Sequence, residues 1–340
     1  MLGKKKKTKF ENRIFNEDSL NNSISMPEKI KSLFRNQLKT WSMLQNGVEN
    51  LSQIKIKKFI IDESEIIIQL NPQRIKSTTA EINKKNKDNS ECILCIEKLP
   101  SDQKGLVLDK QFLVLCNPYP IFNWHFTIVN IAHIPQQISD YFPEMLDIAK
   151  SVSPEFSIFY NGPLCGASVP DHLHFQLCAQ NFVPLEKEHN KSLEKEQILF
   201  TDKNLSLTSS NISGRKFFTF SSSSKNILSD SFNYFYDVFA GINLSADEPK
   251  MNIFCWYEKN KWIIKIFPRQ NHRPSQYYYE DDRKLVVSPA SVDLCGIMVT
   301  PSEETFLKIT ADDIKDIFKQ ASLSNEYFEY LLHKMKNRLK

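Results

Sequence analysis

Apolar positions change rhythm several times along this chain, and the changes divide it into short helices and strands. Ile30, Leu33, Phe34, Leu38, Trp41 and Leu44 recur at helical spacing after Met26-Pro27-Glu28, which predicts a docking helix that stops at Asn46-Gly47. Residues 54–61 and 65–70 are β-rich runs around Asp62-Glu63-Ser64, a hairpin pattern, and the polar stretch 71–90 reads as a loop with Arg74 at its start. Strands are predicted at 112–116, 124–129 and 156–160 and a helix at 138–152, while residues 172–178 alternate strictly. Beyond a polar stretch to about residue 210 come strands at 216–221, 252–257 and 262–267 and a helix at 229–242. Strand-like text at 285–287 and 295–300 and three helices between 301 and 339 complete the pattern. Neither half shows a regular βαβ beat, so the expected class is α+β with antiparallel sheets flanked by helices. Walker and Rossmann glycine patterns are missing.

Composition narrows the class. A chain of 340 residues, 41% hydrophobic and 25% charged, has the balance of a cored globular protein of one large or two ordinary domains, which excludes collagen, coiled coil and wholesale disorder. No apolar run approaches the ~18 residues that span a bilayer, and Lys4 to Lys7 precede no apolar stretch of the kind that directs export. The net charge of +4 is concentrated in Lys4 to Lys7, Lys9 and Arg13, so residues 1–25 are expected to form a disordered basic tail on a near-neutral body. That distribution argues against a nucleic-acid face and against membrane binding. Seven scattered cysteines fit reduced thiols in a cytoplasm. Glycine is scarce, at 8 residues, yet Gly162 and Gly166 share one short loop.

The run His172-Leu173-His174-Phe175-Gln176-Leu177-Cys178 puts two imidazoles and an amide on one strand face and buries Leu173, Phe175 and Leu177 on the other. Alone, such a row also describes an ordinary half-exposed strand. Upstream, however, Cys92-x-x-Cys95 and then His133 add two thiols and an imidazole, and two thiols with two imidazoles make a set for tetrahedral zinc. A lone pair of cysteines at this spacing is also compatible with redox use, but this one does not sit between a strand and a helix of a βαβ unit.

Together with Asn117-Pro118-Tyr119-Pro120, Trp124-His125-Phe126-Thr127-Ile128-Val129, Asn161-Gly162 and Gly166-Ala167-Ser168, the His-x-His-x-Gln run resembles the histidine-triad-like nucleotidyltransferases and phosphorylases. That superfamily includes galactose-1-phosphate uridylyltransferases, diadenosine tetraphosphate phosphorylases and GDP-hexose phosphorylases. The likeness covers roughly residues 90–180 with specific motifs, and the chain also looks like an uncharacterised bacterial family of the same superfamily. It implies two histidine-triad-like halves: residues 26–180 with zinc and the motif, and 181–340 completing the substrate pocket.

Carried over residue by residue, the resemblance implies structural zinc on Cys92, Cys95, His133 and His172, and His174 as the nucleophile that takes up a nucleotidyl group. Gln176 stands where the hydrolases of the superfamily place a third histidine. An amide cannot deliver a proton but can donate to a phosphoryl oxygen, which favours leaving groups that need no protonation. Asn161, Gly162, Gly166 and Ser168 are implied to contact the phosphates or ribose, and Arg74 and Arg269, with His272, to contact substrate. The spacing departs from the uridylyltransferases by one extra residue among Val169, Pro170 and Asp171 before His172.

The reaction implied is transfer from a nucleotide sugar or a dinucleoside polyphosphate to inorganic phosphate or a sugar phosphate. His-Leu-His-Phe-Gln favours GDP-hexose, and hydrolysis of the same donors is the related alternative. A zinc-stabilised nucleotide-binding module without turnover is the alternative of another class. The resemblance leaves room for a homodimer. His125 is expected to be a packed or hydrogen-bonded histidine, Cys178 a buried thiol, and His189 and His333 surface residues.

Overall fold

The computed structural model describes residues 11–15, 24–79, 92–242 and 248–338. Its strands are β1 (Lys55–Ile61), β2 (Ser64–Leu70), β3 (Gly105–Leu108), β4 (Phe112–Cys116), β5 (Phe126–Asn130), β6 (Phe156–Asn161) and β7 (His174–Ala179). They continue with β8 (Gln197–Thr201), β9 (Leu205–Ile212), β10 (Arg215–Ser222), β11 (Met251–Glu258), β12 (Lys261–Pro268) and β13 (Ile297–Thr300). Ten of them form one sheet in the order β3-β4-β5-β7-β6-β11-β12-β10-β9-β8, antiparallel throughout. Five strands come from each side of residue 180, and β6 joins the two sets by pairing with β11 through Phe159↔Phe254 and Asn161↔Asn252. The expected α+β class with antiparallel sheets is the observed one.

Strand alternation sorts the apolar side chains to the two faces of this sheet. One face packs under the helices Met26–Thr40, Phe142–Ser151, Lys225–Ile242 and Asn325–Arg338, in a core that includes Phe126, Phe175, Phe232 and a Phe142–Phe232 stack at 3.8 Å between centroids. The other face has two separate covers. Over the C-terminal strands lie a small sheet, β1-β2-β13, and the helices Glu303–Lys308 and Ala311–Ala321, closing on Phe217, Phe254, Trp256 and Phe267. Over β4 and β5 lies the Cys92–Leu99 segment, whose Ile96 and Leu99 pack on Leu113, Leu115 and Val129. Between the two covers, the face formed by Thr127, Gln176 and Phe159 opens onto a cavity.

Local sequence explains most boundaries. Asp62 and Glu63 both take positive φ, 48° and 65°, as a two-residue hairpin turn requires, and this fixes the β1-β2 register Ile61↔Ser64. Ser25 caps the first long helix by accepting the Glu28 N–H, and Pro27 sits in its first turn. The expected stop at Asn46-Gly47 is not observed. The chain breaks instead at Trp41, in an extended conformation, and Gly47 lies within a second helix, Ser42–Leu51. A Cβ on Gly47 would stand 2.2 Å from the Pro118 carbonyl oxygen, so this glycine allows the helix to lie directly on the 117–120 loop.

Other expectations also change. Residues 11–15 of the presumed tail are anchored: the Phe15 N–H donates to the Gly105 carbonyl at 2.8 Å and the ring is buried, while residues 1–10 and 16–23 lie outside the described ones. The loop at 71–90 contains helical turns, Pro72–Arg74 and Ile75–Thr78, and its residues 80–90 lie outside the described ones. The polar stretch after residue 179 holds two short helices and the strands β8 and β9; the Ser/Thr-rich text of β9 hides a strand whose partners, not its own hydrophobicity, specify it. The strand expected from 295 begins at Ile297, after the helical turn Ser291–Leu294, and pairs in parallel with β2. His189 is buried edge-on against Trp256 at 5.0 Å between centroids, so its expected surface position is corrected, whereas His333 is exposed.

Candidate active site and metal centre

Cys92 and Cys95 sit on one tight turn, with the Cys95 N–H donating to the Cys92 carbonyl at 3.3 Å. Across from them, Cys92 Sγ lies 3.2 Å from His172 Nδ1, and Cys95 Sγ lies 3.2 Å from His133 Nδ1. The ligand atoms of all four residues fall within 4.8 Å of one another. This set fits tetrahedral zinc on its own chemistry. His172 Nε2–H donates to the Asn130 carbonyl at 2.7 Å, which leaves Nδ1 as a lone pair turned toward the thiols. Burial, followed by the charge of Cys92, pushes the Cys95 thiol up to about 12, so a thiolate there calls for a cation.

Two residues on, His174 is buried and lines the cavity. Its Nδ1–H donates to the His172 carbonyl at 2.8 Å, so Nε2 is the nitrogen left with a free lone pair. Burial is the main cause that pushes its pKa down to about 4, and the ring is neutral at pH 7. The His172 carbonyl therefore links the Cys–His cluster to the orientation of the next imidazole.

Gln176 lies beside it on the same face, and its orientation is fixed by His125. The Ile121 N–H donates to His125 Nδ1 at 3.3 Å, which puts the ring proton on Nε2, and that N–H donates to Gln176 Oε1 at 2.8 Å. The Gln176 NH2 is thereby the end left for the cavity. His125 is fully buried against Phe122 and Phe159; burial first, and the charge of Arg74 second, push its pKa down to about 3. The expectation of a packed, hydrogen-bonded histidine agrees with this placement, but its hold on Gln176 was not anticipated. Gln136, which carries no signal in the sequence, bonds the backbone around His174: Oε1 accepts the His174 N–H at 2.7 Å, and Nε2 donates to the carbonyls of His174 and Asn161.

The structure separates the other expected substrate residues into two groups. Asn161, Gly166, Ser168 and Arg74 line the cavity together with His174 and Gln176. Asn161 Oδ1 accepts from Asn252 Nδ2 and the Ser291 N–H, both at 2.9 Å, so its Nδ2 is the group left for a ligand. Gly166 has φ +115°, and a Cβ there would meet the Ala290 Cβ at 2.6 Å. Arg74 donates to the Tyr119 carbonyl at 3.0 Å; burial lowers its pKa to about 10, which keeps it charged at neutral pH.

Gly162 and Arg269 are the corrections. The Gly162 N–H already donates to the Met251 carbonyl at 3.1 Å, and the residue does not line the cavity. Its role is close packing, since a Cβ would stand 2.8 Å from that same carbonyl oxygen. Arg269 is 1% exposed, and its guanidinium donates to the carbonyls of Ala321, Pro289, Asn271 and His272 and to Asn252 Oδ1. Those bonds use every N–H of the group, so Arg269 has none left for a ligand and supports the site through Asn252, which holds Asn161, and through the His272 carbonyl. Its neighbour His272 does line the cavity, with Nε2 3.2 Å from Ser288 Oγ.

The cavity holds about 570 Å³. Trp41, Leu94, Leu99, Leu115 and Pro118 make an apolar wall on one side, and Ser288, Ala290 and Asp293 from the C-terminal half close the other. The second half has no matching catalytic row. Residues 181–340 contain no His-x-His pair, and on β12 the residue paired with Phe254 is Lys265. Lys265 is instead buried in an ion pair with Glu196 at 2.9 Å.

Residues 33–179 match a family profile described as a domain of unknown function, DUF4922, and residues 199–340 match one described as GDPGP1-like, C-terminal domain. Comparison with curated proteins gives no match. Among solved structures, yeast Ap4A phosphorylase Apa2 in complex with AMP is similar at a TM-score of 0.55 and 16% identity, over 86% of this chain and 96% of that one. The same enzyme in complex with Ap4A gives 0.54 and 16%, over 87% and 97%. At that identity the likeness is one of fold. The two profiles thus flank residue 180, one on each set of five strands, and the fold is shared with Ap4A phosphorylase along 86% of the chain.

Proposed function

We propose that the protein is a nucleotidyltransferase of phosphorylase type that acts on a nucleotide sugar, GDP-hexose first, through a nucleotidyl-His174 intermediate. One observation carries this reading: a neutral, buried imidazole has Nδ1 tied to a carbonyl and its other nitrogen free in a cavity beside an oriented amide. In the first step the His174 Nε2 lone pair attacks the α-phosphorus. The bond from that phosphorus to the bridging oxygen breaks, and hexose 1-phosphate leaves with the electron pair and needs no proton. Gln176 NH2 donates to a non-bridging oxygen as charge builds there. In the second step an oxygen of inorganic phosphate attacks the same phosphorus, releases GDP and restores the free imidazole.

Zinc, held by Cys92, Cys95, His133 and His172, would serve as a structural clamp on the segment that carries the His172 carbonyl. Asn161 Nδ2, Ser168 and the backbone at Gly166 are the candidate phosphate contacts, and Arg74 supplies charge. A nucleotide sugar is favoured over a dinucleoside tetraphosphate because, among the described lining residues, Arg74 and Lys76 are the cations and Asp293 opposes them. That balance suits a diphosphate better than a chain of four phosphates. Guanine rests on the motif's resemblance and on the GDPGP1-like domain.

The test is a panel of GDP-glucose, UDP-glucose and Ap4A with and without inorganic phosphate. GDP should form only with phosphate present, and without it hexose 1-phosphate should stop at about one equivalent per chain. A turnover rate indifferent to phosphate would favour hydrolysis, and no turnover of any donor would favour a binding module.

A further inference from the structure

We propose that Gln136 is a positioning residue for His174, an amide wedge that parts β7 from β6 and so sets the line along which the imidazole meets a phosphorus atom. The inference rests on the reading of His174 as the nucleophile. Pairing between β6 and β7 runs from Phe156↔Ala179 to Phe159↔Gln176 and then stops. Continued by two residues, it would bring Asn161 against His174. The Gln136 amide occupies that place instead: Nε2 donates to the Asn161 carbonyl at 2.9 Å and to the His174 carbonyl at 3.0 Å, while Oε1 accepts the His174 N–H at 2.7 Å.

The side chain thus replaces one step of a ladder at the residue whose ring must be aimed. On the opposite edge of β7, His174 keeps its pairing with Val129 of β5. Its backbone is therefore gripped by a strand on one side and by an amide on the other, with the ring held to the His172 carbonyl. Gln136 is 1% exposed, and the groups its side chain bonds all belong to the backbone of Asn161 and His174, while its own N–H donates to the Pro170 carbonyl at 3.3 Å. It touches none of the cavity. Without the wedge, β7 is free to close on β6, and a displacement of about 1 Å of a reacting group is enough to cost on the order of 100-fold in rate.

The experiment uses the full chain and whichever of GDP-glucose, UDP-glucose and Ap4A labels the wild type with a nucleotidyl group. Gln136→Met keeps length and volume and removes all three hydrogen bonds. Gln136→Glu, kept neutral by burial, retains the acceptor for the His174 N–H and one donor. The expected order of single-turnover labelling rates is wild type, then Gln136→Glu, then Gln136→Met, with at least a tenfold fall for the last. KM should stay within about threefold and metal content unchanged, a kcat-against-KM split that a merely structural role would not give. If Gln136→Met fails to fold, the same comparison between Gln136→Glu and wild type decides the matter. Labelling rates equal to wild type in the folded variants overturn the role of Gln136 alone. Absence of any adduct in the wild type overturns the reading of His174, and the wedge with it.

Discussion

Replacing His125 by Phe tests whether a buried histidine aims the amide of Gln176. The phenyl ring fills the same space between Phe122, at 4.6 Å between centroids, and Phe159, at 6.2 Å, so little packing is lost. Two hydrogen bonds go: the Ile121 N–H loses its acceptor and Gln176 Oε1 loses its donor. An unsatisfied buried N–H costs about 1–3 kcal/mol, and at 3.3 Å the Ile121 bond is long, so the lower end of that range is expected. Chemical denaturation should therefore show a loss of about 1–2 kcal/mol.

The catalytic effect should be larger than this loss suggests. Removing a donor to a developing oxyanion outright costs about 100- to 1000-fold in kcat. In His125→Phe the donor survives but is free to flip, so a fall in kcat of about tenfold is expected, with KM little changed. Because burial keeps the His125 ring neutral, the ratio of variant to wild-type kcat should be constant from pH 6 to pH 9. A folded His125→Phe enzyme with kcat within about twofold of wild type would refute the orienting role.

Arg269→Met should cost at least about 3 kcal/mol in a denaturation experiment, since several buried carbonyls and Asn252 Oδ1 lose their donors at once; a stable variant with only weakened donor binding would restore Arg269 to the substrate site. Elemental analysis should find one zinc per chain, and its removal by a strong chelator should lower the melting temperature and abolish nucleotidyl labelling; labelling at full rate without metal would contradict the clamp. Burial, the largest cause for each, raises Glu186 and Glu248 to about 8. Their folded forms therefore hold a proton that the unfolded chain releases near 4.5, and stability from this source is lost as pH rises through 8. The melting temperature should fall between pH 7 and pH 8.5, and a rise over that window would show that these carboxyls are ionised in the fold.

The parts of the site legible in the sequence were those set by local periodicity. Alternation over residues 172–178 sorts His174 and Gln176 from Phe175 and Leu177, and the short Cys92–Cys95 spacing brings two thiols to one turn. The parts that were not legible depend on contacts between distant segments. Arg269 follows a strand in polar text and reads as a loop arginine, yet five acceptors from four separate segments enclose it. Gly47 looks like a helix stop because nothing in its neighbourhood announces the Pro118 carbonyl that will press on it. Gln136 resembles any polar residue after a proline, and only the splitting of β6 from β7 reveals what its amide does. Strand β9 carries Ser and Thr where a strand search looks for apolar alternation, and its place is set by pairing with β8 and β10.

The central claim is that His174 carries the nucleotidyl group, and intact-protein mass spectrometry with peptide mapping tests it most directly. Wild-type protein mixed with a nucleotide-sugar donor in the absence of phosphate should gain the mass of one nucleoside monophosphate, mapped to the peptide that contains His174. His174→Ala should show no gain while retaining its metal. An adduct that persists in His174→Ala, or maps to another residue, would contradict the account.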